Sequence, residues 1–148
     1  MSTENPRVPL PLKPFHHVLP VQVRFNDVDM FGHINNSVYF EYFDIGKLNY
    51  FEKVLGPDFA KKGFTAVIVN VNCDFFSPAF INEELRVFTA VVHLGEKSIT
   101  LEQRIVNEKN EDVKCICRTV MSGFDPVTLK SAPIPDFFRN LIQAFEKI

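Results

Sequence analysis

The sequence predicts an α+β domain in which an antiparallel sheet of five strands wraps around one long central helix. Two patterns carry that expectation: a single, mostly apolar helical stretch over residues 36–55, and after it a series of strand patterns joined mainly by short hairpin signals. The first strand is expected at Val21–Phe25, where apolar and polar residues alternate before breaking off at Asn26-Asp27. Helical spacing then sets in near Asn36, with Tyr39, Phe43, Gly46, Tyr50 and Val54 recurring every three or four residues. Asn35 or Asn36 suits the N-cap, and Gly56-Pro57 stops the helix.

Beyond the helix, Thr65–Phe76 alternates, with Val67, Val69, Val71, Cys73 and Phe75 on one face. Leu85–Leu94 reverses at Gly95-Glu96 into Ser98–Val106, and a turn at residues 107–111 leads into Val113–Ser122. Phe138, Leu141, Ile142, Phe145 and Ile148 mark one face of a short C-terminal helix entered through Pro133 and Pro135. Residues 1–19 hold four of the five early prolines, Pro6, Pro9, Pro11 and Pro14, and Pro20 follows. That density reads as an extended arm, with the domain proper spanning residues 20–148.

Composition excludes several classes of function. At 148 residues the chain has the size of one domain, and its net charge of −2 with no basic run argues against a nucleic-acid partner. No apolar run is long enough to span a bilayer, and no signal-peptide core stands at the N-terminus. Three cysteines do not make a disulfide framework; Cys115 and Cys117 are two apart on a strand and face one side, which matches neither CxxC nor a zinc pattern. Free, buried thiols point to a reducing, cytoplasmic setting.

The chemistry concentrates between Arg24 and Tyr42, where Asp27, Asp29, His33, Asn35 and Asn36 fall within ten residues at a strand-to-helix junction. The first amides of a helix carry partial positive charge and can polarise a carbonyl oxygen, so a carboxylate and an oxyanion site would stand side by side. The run from Asp27 to Asp44, DVDMFGHINNSVYFEYFD, resembles the DxDxxGHxNNxxYxxYxE signature of 4-hydroxybenzoyl-CoA thioesterase-like, hot-dog fold acyl-CoA thioesterases, with Asp44 in place of the usual Glu. The resemblance extends over roughly residues 20–124. It implies a sheet wrapped around the central helix, homodimers that pair their sheets or assemble into homotetramers, active sites at the subunit interface, and no metal or organic cofactor. It also implies an acyl-CoA substrate, hydrolysed to free acid and CoA, and the GHxNN form of the loop favours a fatty or broad-range acyl group.

The same resemblance makes Asp29 the catalytic carboxylate, acting as nucleophile or as general base on water. His33 and Asn35 are candidates for a second donor or for orienting the water. Asn36 and Tyr39 are candidate substrate contacts, and Lys97 and Ser98, with Arg86, are candidates for holding the phosphates of CoA. Each has a plainer reading: an Asx-turn for Asp29, a loop-holding carboxylate for Asp27, a capping role for Asn35 and Asn36, packing for Tyr39 and Tyr42, a solvated strand edge for Lys97. Asp27, Asp29 and His33 lack the further converging ligands that a metal site needs. The alternatives in function are an acyl-carrier-protein thioesterase, a non-catalytic acyl-CoA-binding protein and a hot-dog dehydratase.

Overall fold

The computed structural model describes residues 5–148. Strand β1 (His17–Val21) and a 3₁₀ turn (Phe25–Asp27) precede the long helix α1 (Asn36–Leu55). Four long strands follow: β2 (Ala66–Phe75), β3 (Leu85–Leu94), β4 (Ser98–Asn107) and β5 (Val113–Asp125). The two-residue β6 (Lys130–Ser131) pairs with the end of β5, and helix α2 (Asp136–Glu146) closes the chain. The sheet order is β1-β3-β4-β5-β2, with every pairing antiparallel, so β1 and β2 form the two edges. This is the α+β hot-dog arrangement.

The first strand does not lie where alternation put it. It runs from His17 to Val21, four residues earlier at its start, and Phe25–Asp27 is a 3₁₀ turn. Pro20 misleads the pattern: a proline is tolerated in a strand when it lies on an edge, and β1 pairs only with β3, where Pro20 stands opposite Arg86. His17, which falls within the extended arm expected over residues 1–19, is buried inside the sheet edge, with its Nε2 2.8 Å from Asn49 Oδ1. The alternation of β2 is also interrupted, by a register shift between Ile68 and Asn70.

Burial disfavours the His17 imidazolium and, helped by the nearby Lys53, outweighs the Asn49 hydrogen bond, holding its pKa below the ordinary 6.5. The unfolded chain therefore takes up this proton before the folded one does. Stability from this group is complete above about pH 6.5 and is lost as pH falls toward the lower folded-state value. Thermal melts between about pH 7 and pH 5.5 are expected to show a falling Tm, with a shallower fall in His17→Gln; parallel curves for the two proteins would contradict this.

Helix α1, ~30 Å long at 1.5 Å per residue, packs along one face of the sheet. Its first half packs Val38, Tyr39, Tyr42 and Phe43 against Leu85, Val87, Ile105, Cys115 and Cys117. Its second half packs Tyr50, Phe51 and Leu55 against Val91, Ile99, Leu101 and the α2 residues Phe138 and Ile142. Gly46 permits the close approach between them, since a Cβ there would stand 2.7 Å from Val87 Cγ1. Cys115 and Cys117 face this core together as free thiols. Asn35 is the N-cap, its Oδ1 accepting from the Ser37 amide at 3.1 Å, and Gly56 at φ 97° ends the helix. The result is a helix N-terminus held rigidly at one end of the sheet.

Candidate active site

The segment 27–35 is a tight reversal that feeds α1. Val28 and Ile34 bridge antiparallel, the Asp29 amide donates to His33 O at 2.8 Å, and Gly32 N–H donates back to Asp29 O at 3.0 Å. Gly32 has φ 78°, a left-handed conformation that favours glycine, which is why the turn carries one. The loop is anchored from behind by the Asn35 amide on Asp27 O at 2.9 Å and by the Ile34 amide on Ala79 O at 2.8 Å.

Asp27 and Asp29 divide the work. Asp27 is buried, and its Oδ2 accepts from Tyr42 Oη at 2.6 Å and from the Arg24 amide at 2.9 Å, with the Arg24 guanidinium 3.6 Å from Oδ1. Burial opposes its ionisation, but the Tyr42 and Arg24 hydrogen bonds and the Arg24 charge outweigh that and hold the carboxyl below its usual range. The phenol of Tyr42 is driven upward by burial and by the same carboxylate. Asp27 is therefore the brace of the loop.

Asp29 is different. It is exposed in the single chain, and one oxygen, Oδ1, accepts the amides of Phe31 at 2.9 Å and His33 at 3.3 Å. That is the Asx-turn of the plainer reading, yet it occupies only one oxygen. Oδ2 takes no hydrogen bond from the described residues. Asp29 lines a cavity of about 310 Å³ with His33, Asn36, Tyr39, Phe75 and Ser77. An anchored carboxylate with one open oxygen at a cavity is suited to attack or to proton abstraction.

The other candidates separate into two groups. His33, Asn36 and Tyr39 share this cavity with Asp29. The His33 ring packs edge-on against Phe80 with centroids 5.0 Å apart, and Tyr39 meets Phe75 in the same way at 5.2 Å. Burial pushes the Tyr39 phenol up to about 12, so it remains a neutral donor at ordinary pH. Asn35 stands just outside the cavity lining with its side-chain oxygen committed to Ser37. At the helix start, the Ser37 and Val38 amides are taken by Asn35, whereas the Asn36 amide has no acceptor among the described residues. Lys97 and Ser98 are not brought to Asp29 within one chain: they lie at the β3–β4 hairpin beside Ile99, at the end of the sheet that packs on the second half of α1. Arg86 is ion-paired with Glu108. Sequence reading also missed the wall formed by Phe76, Ser77 and Pro78, which comes from a loop with no pattern of its own. No group of three or more His, Cys, Asp or Glu side chains among the described residues is placed to hold a metal ion.

The sequence model of the thioesterase-like superfamily matches residues 23–142, and the chain belongs to that family. It is 34 % identical over 101 residues to the uncharacterized protein YsmA of Bacillus subtilis (strain 168), covering 68 % of this chain and 67 % of that protein. Among solved structures it is similar to a thioesterase from Thermus thermophilus complexed with coenzyme A and Zn, at 28 % identity and a TM-score of 0.80, over 90 % of this chain and 96 % of that one. It shares its fold with the Staphylococcus aureus protein SAV2348 in complex with CoA, at 15 % identity and a TM-score of 0.81, over 95 % and 89 % of the two chains.

Proposed function

We propose that the protein is an acyl-CoA thioesterase in which Asp29 is the catalytic carboxylate. The observation that carries this reading is the divided carboxylate of a residue that lines the cavity, with Oδ1 pinned by two amides and Oδ2 free of any hydrogen bond from the described residues. A thioester carbonyl is electrophilic and its thiolate leaves readily, so no serine triad is required. Either Oδ2 attacks the carbonyl carbon, expelling CoA thiolate and leaving a mixed anhydride that water opens, or Oδ2 takes a proton from water as it attacks. The Asn36 amide is the oxyanion donor in both routes, and His33 is the second polar group at the carbonyl; one such donor is worth ~2.7–4 kcal/mol in other enzymes. The CoA held by the similar Thermus thermophilus thioesterase supports a CoA thioester as substrate. A cytoplasmic setting is supported by three cysteines that are all free.

The working unit in this reading is a homodimer. Strand β2 is a ten-residue edge whose Val67, Ile68, Val69, Val71 and Phe75 are all exposed, the type of edge that recruits another strand. Antiparallel pairing of β2 with its copy about a two-fold axis sets the Ala66 end of one strand beside the Phe75 end of the other. The Ala66 end pairs with Gly123, whose amide donates to Lys97 O. Lys97 and Ser98 of the partner subunit thereby come to the side of the cavity, about two strand spacings (~10 Å) in from the edge, where they can meet the phosphates of CoA.

Two experiments test these claims. A panel of acyl-CoA thioesters, with thiol release monitored, is expected to show turnover of several members; inactivity on all of them while acyl-carrier-protein thioesters are cleaved would move the substrate assignment. Val69→Glu is expected to convert a dimer to a monomer in light scattering and to lose at least about tenfold in kcat/KM, equivalent to ~1.4 kcal/mol. A dimer of undiminished activity would remove the β2 interface from the account.

A further inference from the structure

Lys114 on β5 is buried, and its ammonium is surrounded by the loop that forms the Ser77–Pro78 wall of the cavity. Its Nζ lies 3.0 Å from Pro78 O, 2.9 Å from Glu83 Oε2 and 3.0 Å from Asp112 Oδ2, with Ser77 Oγ at 3.5 Å. The ammonium thus donates hydrogen bonds to the loop's Pro78 carbonyl and Ser77 hydroxyl and is ion-paired with both carboxylates. The Lys114 carbonyl also accepts the Phe76 amide at 2.9 Å. One residue thus grips the loop through both its backbone and its side chain.

That loop in turn holds the catalytic turn. Ala79 O accepts the Ile34 amide, the backbone of Phe80 bridges to His33, and the Phe80 amide donates to Glu83 Oε1 at 3.2 Å. Ser77 Oγ donates to Asp112 Oδ2 at 2.8 Å, which fixes a hydroxyl that lines the same cavity as Asp29. An ion cluster around a buried ammonium, with its carboxylates 15 % and 30 % exposed, is a poor device for stability, because desolvation of the ammonium offsets much of the attraction. What it supplies is a fixed geometry.

We propose that Lys114 is a positioning residue of the active site, holding the Ser77–Pro78 wall and, through Ala79 and Phe80, the Asp29–His33 turn at a set separation. This rests on the reading of Asp29 as the catalytic carboxylate. Displacements of about 1 Å from residues remote from the chemistry can cost on the order of a hundredfold in rate.

The test uses the full chain with Lys114→Met, Glu83→Gln and Asp112→Asn combined, which removes the charges without leaving an unpaired carboxylate, and Lys114→Arg beside it. The triple variant is expected to fold, to exchange amide hydrogens faster over residues 29–34 and 76–84 but not over α2, and to lose at least about tenfold in kcat/KM, with Lys114→Arg recovering part of the loss. If the triple variant does not fold, Lys114→Arg alone decides by the same local exchange pattern. Unchanged kcat/KM beside an inactive Asp29→Asn overturns the proposal, as does exchange that rises uniformly across the protein. Should Asp29→Asn prove as active as the wild type, the catalytic reading falls instead, and exchange over residues 29–34 decides Lys114: faster supports its positioning of the turn, unchanged overturns it.

Discussion

Asp29→Asn is expected to reduce kcat on the preferred acyl-CoA by about 10²–10⁴-fold while leaving the fold intact. The amide keeps the shape of the carboxylate and an oxygen that can still accept the Phe31 and His33 amides, so the Asx-turn survives. What disappears is the negative charge and the basicity of the open oxygen, needed equally for attack on the carbonyl carbon and for deprotonating water. A hundredfold loss corresponds to ~2.7 kcal/mol of barrier, and a loss below about tenfold, ~1.4 kcal/mol, would mean that another group does the chemistry. The melting temperature should scarcely move, because Asp29 is exposed and contributes little buried surface.

Asp27→Ala is expected to behave in the opposite way, as a loss of stability that drags activity down with it. Its carboxylate accepts the buried Tyr42 hydroxyl at 2.6 Å and the Arg24 amide at 2.9 Å, and truncation leaves both donors without a partner. Hydrogen bonds to a charged group are worth about 1.5–3 kcal/mol, so a net destabilisation of ~2–4 kcal/mol is expected, read as a drop of about 5–15 °C in Tm. Because the folded-state pKa of Asp27 is depressed, its contribution is complete above the ordinary carboxylate range and lost as pH falls below it. Acid melts of the wild type should therefore steepen below about pH 4, and those of Asp27→Ala should not. An unchanged Tm in Asp27→Ala would show that the loop is held by its backbone bonds alone.

Much of this was legible in the sequence because it is local. The N-cap at Asn35 and the stop at Gly56 act within one turn of the helix, and both are found where residue type placed them. The long strands β3, β4 and β5 begin and end within a few residues of their turn signals. The reversal that carries Asp29 and His33 is dense in turn-forming residues, and the cavity joins those two with Asn36 and Tyr39. Strand β1 was misplaced because Pro20 looks like a loop residue unless its strand is known to lie at an edge, and edges are decided by tertiary topology. The Ser77–Pro78 wall escaped for a similar reason. Its order comes from Lys114, 36 residues from Pro78, through contacts that no local periodicity records. Lys97 and Ser98 show the remaining difficulty: they lie at the far end of the sheet from Asp29, their place at the site depends on the dimer proposed above, and a single sequence contains no register for that pairing.

The central claim is that the open oxygen of Asp29 drives scission of an acyl thioester. Single-turnover measurement of thiol release, with enzyme in excess over the acyl-CoA that the panel shows to be preferred, isolates that step from product release. The wild type should release one equivalent of CoA rapidly, and Asp29→Asn, bound to the same substrate, should release it at least about a hundredfold more slowly. Equal release rates in the two proteins, or none from the wild type on any acyl-CoA, would contradict the account.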